Sequence, residues 1–215
     1  MTSLPVGRLH VLTDLHFQQW HDHDHLATLA AAGGAETIQF RQKTGTVRDW
    51  LAGLRPTVAA CRAAGVPCIV DDRLDLALAA GADGVHLGQL DLPVADARAI
   101  VDALGGACRL VGATASTAAE AAEAEAAGAD YIGFGPVYAT GSKASPASVK
   151  GVAGLAKACA AVRIPVIAIA GITAERVAPC LDAGAWGVAV MTAVTTADDV
   201  TAATARFRDA LDRWR

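Results

Sequence analysis

The segment Gln39-Phe40-Arg41-Gln42-Lys43 sets an amide and two cations at alternate positions. Alternation sends Gln39, Arg41 and Lys43 to one side of an extended chain and Phe40 and Gln42 to the other. Two cations aimed together from a strand end are costly to bury without an anion. Because the preceding TIQF run is strand-like, the pattern reads as an anion site rather than as solvated loop charge. Further along, the phrases VDDR (70–73) and VHLGQLD (85–91) bring Asp71, Asp72 and Asp91. Asp72 and Asp91 admit two readings. Each stands just ahead of a helical pattern, Asp91 before Pro93, and so can cap a helix. Taken together, opposite the cations, they suit a hard divalent ion. Magnesium accepts oxygen ligands, keeps several waters and needs only one or two carboxylates plus a substrate phosphate. The pair Asp72 and Asp91 is therefore expected to bind Mg2+.

Hydroxyls and glycines supply the rest. Thr114, in GATAST (112–117), is a candidate phosphate donor, and Ser116 reads as the cap of the next helix. Thr140, Ser142 and Lys143 lie on a long Gly-containing stretch, FGPVYATGSKASP (134–146), that can cradle an anion and close over a substrate. Gly171, in IAGIT, lets a ligand approach the backbone; with Met191 and Thr192 it suggests a phosphate cup of amides and helix starts. Cations, acids and a phosphate cup together imply two phosphorylated substrates, or one with both ends charged. The segment WHDHDH (20–25) has alternating His21, His23 and His25. A transition-metal site there is set against a polar loop leading into the first helix, with Asp24 as its cap, and the spacing favours the loop.

These residues need a scaffold that gathers them. A phrase recurs along the chain: AAGGAETIQF (31–40), AAGADGVHLG (79–88), AAGADYIGFG (126–135) and DAGAWGVAVM (182–191). An Ala-rich helix ends on glycine and a short β-rich run begins. Gly33, Gly81, Gly128 and Gly184 stand where a helix end calls for a left-handed residue. Pro67 and Pro165 open two further strands. Strands are predicted near 9–13, 36–41, 66–70, 84–88, 109–113, 130–134, 165–169 and 186–191, with helical patterns such as 95–104, 116–127 and 174–183 between them. Runs such as VPCIV and PVIAIA are apolar throughout, as in strands buried on both faces. Eight strand-then-helix units of about 27 residues each predict an α/β chain folded as a single (β/α)8 TIM-barrel domain over 1–215. An open doubly wound sheet is the alternative, but no GxGxxG follows the first strand. In a barrel of this kind active sites lie in the loops at the carboxyl ends of the strands, where every candidate residue above falls.

Composition agrees. Of 215 residues 53% are hydrophobic, which excludes a disordered chain. No apolar run approaches the roughly 18 residues of a membrane span. Eighteen basic against 22 acidic residues, with no basic cluster, argue against a nucleic-acid partner. The five cysteines are odd in number and never form a CxxC, the pattern of reduced thiols. The beginning MTSLPVGRLHVLTD has no signal-peptide pattern, so a cytoplasmic protein is expected. Whether it forms a homo-oligomer stays open.

From LTD (12–14) to VMTAV (190–194), the phrases QFRQK, VDDR, DGVHLGQLD, DYIGFGPVYATGSK and PVIAIAGIT resemble those of thiamine phosphate synthases. The resemblance implies a (β/α)8 transferase. It would join 4-amino-5-hydroxymethyl-2-methylpyrimidine pyrophosphate to 4-methyl-5-(2-hydroxyethyl)thiazole phosphate, giving thiamine phosphate and pyrophosphate. It implies that Asp72 and Asp91 bind magnesium and that Arg41, Lys43, Thr114 and Lys143 hold the pyrophosphate, with Arg41, Lys43 and Lys143 as the catalytic cations. Gln39 would lie beside the pyrimidine, near Asp71, which stands where the family pattern has Asn. Thr140, Ser142, Gly171, Met191 and Thr192 would face the thiazole phosphate. Gln42 replaces a usual Glu, Leu90 an acidic residue, Ala139 a Pro, Ala170 the first Gly of a pair, Thr192 a Ser and Trp186 an Asp. Two rival readings are a thiazole tautomerase, an isomerase whose pattern has His where Ser116 stands, and a non-catalytic thiazole- or thiamine-phosphate-binding paralogue. The latter should have lost some of Arg41, Lys43, Asp72, Asp91 and Lys143.

Overall fold

The computed structural model describes residues 6–105, 108–141 and 148–214. Eight strands alternate with helices: β1 Leu9–Thr13, α1 His23–Ala32, β2 Thr37–Phe40, α2 Val47–Ala64, β3 Cys68–Asp71, α3 Leu74–Ala80, β4 Gly84–Leu87, α4 Val94–Leu104, β5 Leu110–Ala115, α5 Ala118–Ala126, β6 Tyr131–Phe134, α6 Gly151–Ala161, β7 Val166–Ile169, α7 Ala174–Asp182 and β8 Gly187–Val190. A short α8, Thr192–Thr195, and a final α9, Val200–Arg213, follow. Every strand pairs in parallel with its sequence neighbours, and β8 pairs with β1, so the sheet closes into a barrel in the order β1 to β8. The eight strands and their closure agree with the repeat; strand limits move by at most two residues. Among the described residues no helix is long and apolar enough to cross a membrane.

The strands are short and apolar because both faces are covered. Outward residues such as Val11, Ile38, Val70, Val85, Ile132 and Val188 join helix residues such as Leu26, Leu54, Leu155 and Phe207 in one core. Inward residues form a smaller cluster of Leu12, Tyr131, Ile167 and Ala189, with Met191 packed above. Tyr131 fills the bore only because its neighbour across the sheet is Gly112. A Cβ on Gly112 would come within 2.2 Å of the Tyr131 ring.

Helix ends follow the expected chemistry with several shifts. Gly81, Gly128 and Gly184 have positive φ, but Gly33 does not; Gly34, at φ 95°, takes the left-handed position. Gly33 is needed for contact instead, since a Cβ there would lie 2.5 Å from the Thr201 carbonyl oxygen of α9. Asp24 sits in the first turn of α1, whose cap position falls on Asp22. Thr117, not Ser116, caps α5 by accepting from the Glu120 amide, and Ser116 donates to the Glu120 carboxylate. In each case the helix starts within two residues of the expected place and the neighbouring polar residue takes the cap.

The bore also holds a buried histidine. His10 on β1 lies against Tyr131 and places Nε2 3.0 Å from the Gly7 carbonyl oxygen. Burial pushes its pKa down from 6.5 to about 4, against the Gly7 hydrogen bond and aided by His86. The folded chain therefore refuses a proton that the unfolded chain accepts between pH 6.5 and about 4. Stability falls as pH drops through that window, by about 1.4 kcal/mol per pH unit for one such group. Urea denaturation across the window is expected to show that slope reduced in His10→Gln, which keeps a donor for Gly7.

Candidate active site

Parallel closure brings all eight strand ends to one rim. On the β1–β4 side the alternating residues behave as their spacing requires: Gln39, Arg41 and Lys43 all reach Asp71. Gln39 Nε2 donates to Asp71 Oδ1 at 2.8 Å, Lys43 Nζ lies 2.9 Å from Asp71 Oδ2, and Arg41 Nε lies 3.6 Å from the same oxygen. Arg41 also pairs with Asp14, and Lys43 with Asp72. The strand register explains the convergence, since Gln39 of β2 pairs with Ile69 and Asp71, two residues on, ends β3.

Asp72 is not a helix cap. Arg73 occupies the cap position of α3, and Asp72 has φ 63°, a left-handed conformation that is uncommon for a residue with a side chain. Its amide donates to the His86 carbonyl oxygen, and its carboxylate turns to Lys43 and Asp91. Asp91 likewise precedes the cap of α4, which is Pro93. Its Oδ2 accepts from the Gly88 amide at 2.7 Å, folding the HLGQLD turn back on itself. Burial pushes the Asp91 carboxyl up; the Gly88 amide opposes this and the Asp72 carboxylate adds to it. Burial pulls Lys43 down, but the Asp71 and Asp72 carboxylates outweigh it and leave its pKa raised. Two neighbouring carboxylates, with oxygen donors only, fit a hard divalent cation. Among the described residues no three His, Cys, Asp or Glu side chains gather as a metal cage, so such an ion would complete its shell from water and substrate.

Thr114 is the penultimate residue of β5, at the same rim. Its Oγ1 lies 3.0 Å from His86 Nε2, and its carbonyl oxygen accepts from Gln89 at 2.5 Å. His86 Nδ1 lies 3.1 Å from the buried Tyr131 hydroxyl. A polar chain thus runs from the bore to the rim through Tyr131, His86 and Thr114. On the β6–β8 side, Gly171 has φ 63° and Ala170 φ 81°. A Cβ on Gly171 would strike the Ala139 carbonyl oxygen at 2.5 Å, so the turn after β7 lies directly against the loop that carries Thr140. Arg176 of α7 holds this turn, donating to the Gly171 carbonyl oxygen at 2.6 Å and stacking over Tyr138 at 4.4 Å. Thr140 is half-buried; Ser142 and Lys143 lie outside the described residues. Met191 and Thr192 follow β8, Met191 packing on the bore cluster and Thr192 opening α8.

The structure therefore brings Gln39, Arg41, Lys43, Asp71, Asp72 and Asp91 into one charged cluster and sets Thr114 and Gly171 elsewhere on the same rim. Asp14, His86 and Arg176 took no role in the sequence reading. Asp14 is 3% exposed at the end of β1, where a buried acid directly after an apolar strand was a signal available in LTD. Nothing in the local sequence singled out Arg176.

Fold and rim define a class first: a (β/α)8 barrel with a charged carboxyl-terminal rim, the face on which enzymes of this architecture work. Residues 9–194 match the model of the thiamine monophosphate synthase family, and the chain belongs to that family. It is 56% identical over 207 residues to the thiamine-phosphate synthase of Salinibacter ruber, covering 96% of this chain and 89% of that one. It is 47% identical to the thiamine-phosphate synthase of Methanoculleus marisnigri, over 94% and 93% of the two chains. The solved structure of thiamine phosphate pyrophosphorylase from Pyrococcus furiosus superposes with a TM-score of 0.85 at 36% identity, covering 95% of each chain.

The Arg41–Asp14 pair tests the cluster's internal order, because only 4% of the Asp14 side chain is exposed. Asp14→Asn is expected to lower stability by about 2–3 kcal/mol in urea denaturation, as the half-buried Arg41 guanidinium loses its most buried counter-charge. An unchanged midpoint would show that Asp71 alone suffices to hold Arg41.

Proposed function

We propose that this chain is a thiamine-phosphate synthase. It joins the pyrimidine pyrophosphate to the thiazole phosphate and releases pyrophosphate. The observation that carries the reading is the convergence of Arg41 and Lys43 on Asp71 and Asp72, opposite Asp91. When ionised, the four carboxylates Asp14, Asp71, Asp72 and Asp91 outnumber Arg41 and Lys43 by two. A pyrophosphate is repelled from such a rim unless positive charge arrives with it. Asp72 and Asp91 would hold a divalent cation to supply that charge, and Lys143 would add to it. Bound there, magnesium would neutralise the departing pyrophosphate.

The remaining work falls to the chain itself. The C–O bond between the pyrimidine methylene and the pyrophosphate breaks, with both electrons leaving on oxygen. The aminopyrimidine ring delocalises the resulting positive charge. The thiazole nitrogen then supplies the pair for the new C–N bond. Such a step needs no strong base; it needs stabilised leaving-group charge and two rings held in line. Arg41, Lys43, Lys143 and Thr114 bind the pyrophosphate, with His86 fixing the direction of the Thr114 hydroxyl. Gln39 and Asp71, already joined, face the pyrimidine. Gly171, Thr140, Ser142, Met191 and Thr192 receive the thiazole phosphate. All five cysteines are free thiols, which suits a cytoplasmic setting.

Mixing both substrates with magnesium is expected to release pyrophosphate and form thiamine phosphate. Asp72→Ala and Asp91→Ala should each lower kcat/KM by about a hundredfold or more and weaken its dependence on magnesium concentration. Full activity of both variants without added metal would remove magnesium from the reading.

A further inference from the structure

Of the three histidines in the 20–25 segment, His21 and His25 pack edge to face, while His23 turns inward and is buried. His23 opens α1. Its Nδ1 lies 2.7 Å from Thr13 Oγ1, at the end of β1, and its Nε2 lies 3.2 Å from Gln42 Oε1, in the loop after β2. Its ring packs on Phe40 with centroids 4.2 Å apart, and Gly53 of α2 covers it closely enough that a Cβ there would lie 3.5 Å from the ring. Gln42 Nε2 donates to the Thr44 carbonyl oxygen, which leaves Oε1 facing His23. That oxygen only accepts, so Nε2 carries the proton and Nδ1 accepts from the Thr13 hydroxyl.

We propose that His23 is a positioning residue for the pyrophosphate-binding cations: by holding Gln42 it fixes the rotation of the 41–43 backbone and hence the direction in which Arg41 and Lys43 point. The inference rests on the thiamine-phosphate synthase reading above. Its physical basis is alternation, because Gln42 lies between the two cations and projects to the opposite side. Arg41 and Lys43 are tied to Asp14, Asp71 and Asp72. Those ties compete with an incoming anion and must loosen as it binds. The Gln42–His23 bond stands outside the charged cluster and persists through binding, so it is the anchor that keeps the empty and filled arrangements alike. The ring also has the required charge. Burial pushes its pKa from 6.5 down to about 4, against the Gln42 hydrogen bond and the Asp14, Asp22 and Asp24 carboxylates. A neutral imidazole offers one donor and one acceptor, which is what Gln42 and Thr13 together need.

The test compares the full-length chain with His23→Ala and His23→Gln. Inorganic pyrophosphate is titrated calorimetrically in the presence of magnesium, and KM and kcat are measured for both substrates. His23→Ala is expected to weaken pyrophosphate binding and raise KM for the pyrimidine pyrophosphate about tenfold, while KM for the thiazole phosphate stays within about twofold. His23→Gln, whose one amide supplies both an acceptor and a donor, should recover most of the loss. Should His23→Ala fail to fold, Gln42→Ala, at a half-buried site, carries the same expectation. Unchanged pyrophosphate affinity, equal weakening toward both substrates, or no recovery by Gln would each overturn the proposal. A wild-type chain that neither binds pyrophosphate nor forms thiamine phosphate would instead overturn the functional reading on which it rests.

Discussion

Closing eight parallel strands into a ring leaves no choice about where their ends go. Every carboxyl end reaches the same rim, and every loop that follows a strand is drawn toward one mouth. Side chains far apart in the chain, such as Asp14, Arg41, Asp71 and Asp91, become neighbours because β1 to β4 pair side by side and in parallel. The closure in turn depends on small residues at defined places. Gly112 makes room for Tyr131 inside the barrel, Gly187 lets β8 lie against Arg8, and Gly33 lets α1 touch α9. A side chain at any of the three would open the ring or separate its cover.

On that rim the dominant force is charge. Among the described residues Arg41 and Lys43 are held by three carboxylates, Asp14, Asp71 and Asp72. An arrangement of this kind is ordered before any ligand arrives, yet its order is provisional. An ion pair of this kind can be exchanged for a contact to another ion at little cost in desolvation, because both states keep the charges paired. The left-handed Asp72 belongs to the same economy. Its backbone conformation is tolerated because the His86 carbonyl and Lys43 fix it from two sides.

Neutral hydrogen bonds supply what the ion pairs cannot. His86 joins Tyr131 in the bore to Thr114 at the rim, and His23 joins β1 to the loop after β2. On the far side, Arg176 pins the Ala170–Gly171 turn. These links do not have to break when charge enters the mouth. The rim thus has two kinds of support, ion pairs and neutral hydrogen bonds.

Much of this was readable in the sequence, for definite reasons. The recurring Ala-rich helix, glycine and apolar run revealed eight strand-helix units because the period of each element is local. Alternation in QFRQK placed three side chains on one face because extended backbone has a fixed twofold repeat, and the structure joins all three to Asp71. Other features were beyond local pattern. Whether Asp72 caps a helix or faces Lys43 depends on a left-handed turn that propensity does not favour. Gly33 ends α1 as expected but without a left-handed conformation; its missing side chain answers to Thr201, which lies far along the chain. His23 looked like one of three solvated histidines; its burial is decided by where α1 packs over β1 and the loop after β2. The sequence by itself determined the units and the chemistry each strand end carries, since both follow from neighbours in the chain. Only the tertiary structure decided which charges pair and which histidine is buried, since those depend on distances across the closed ring.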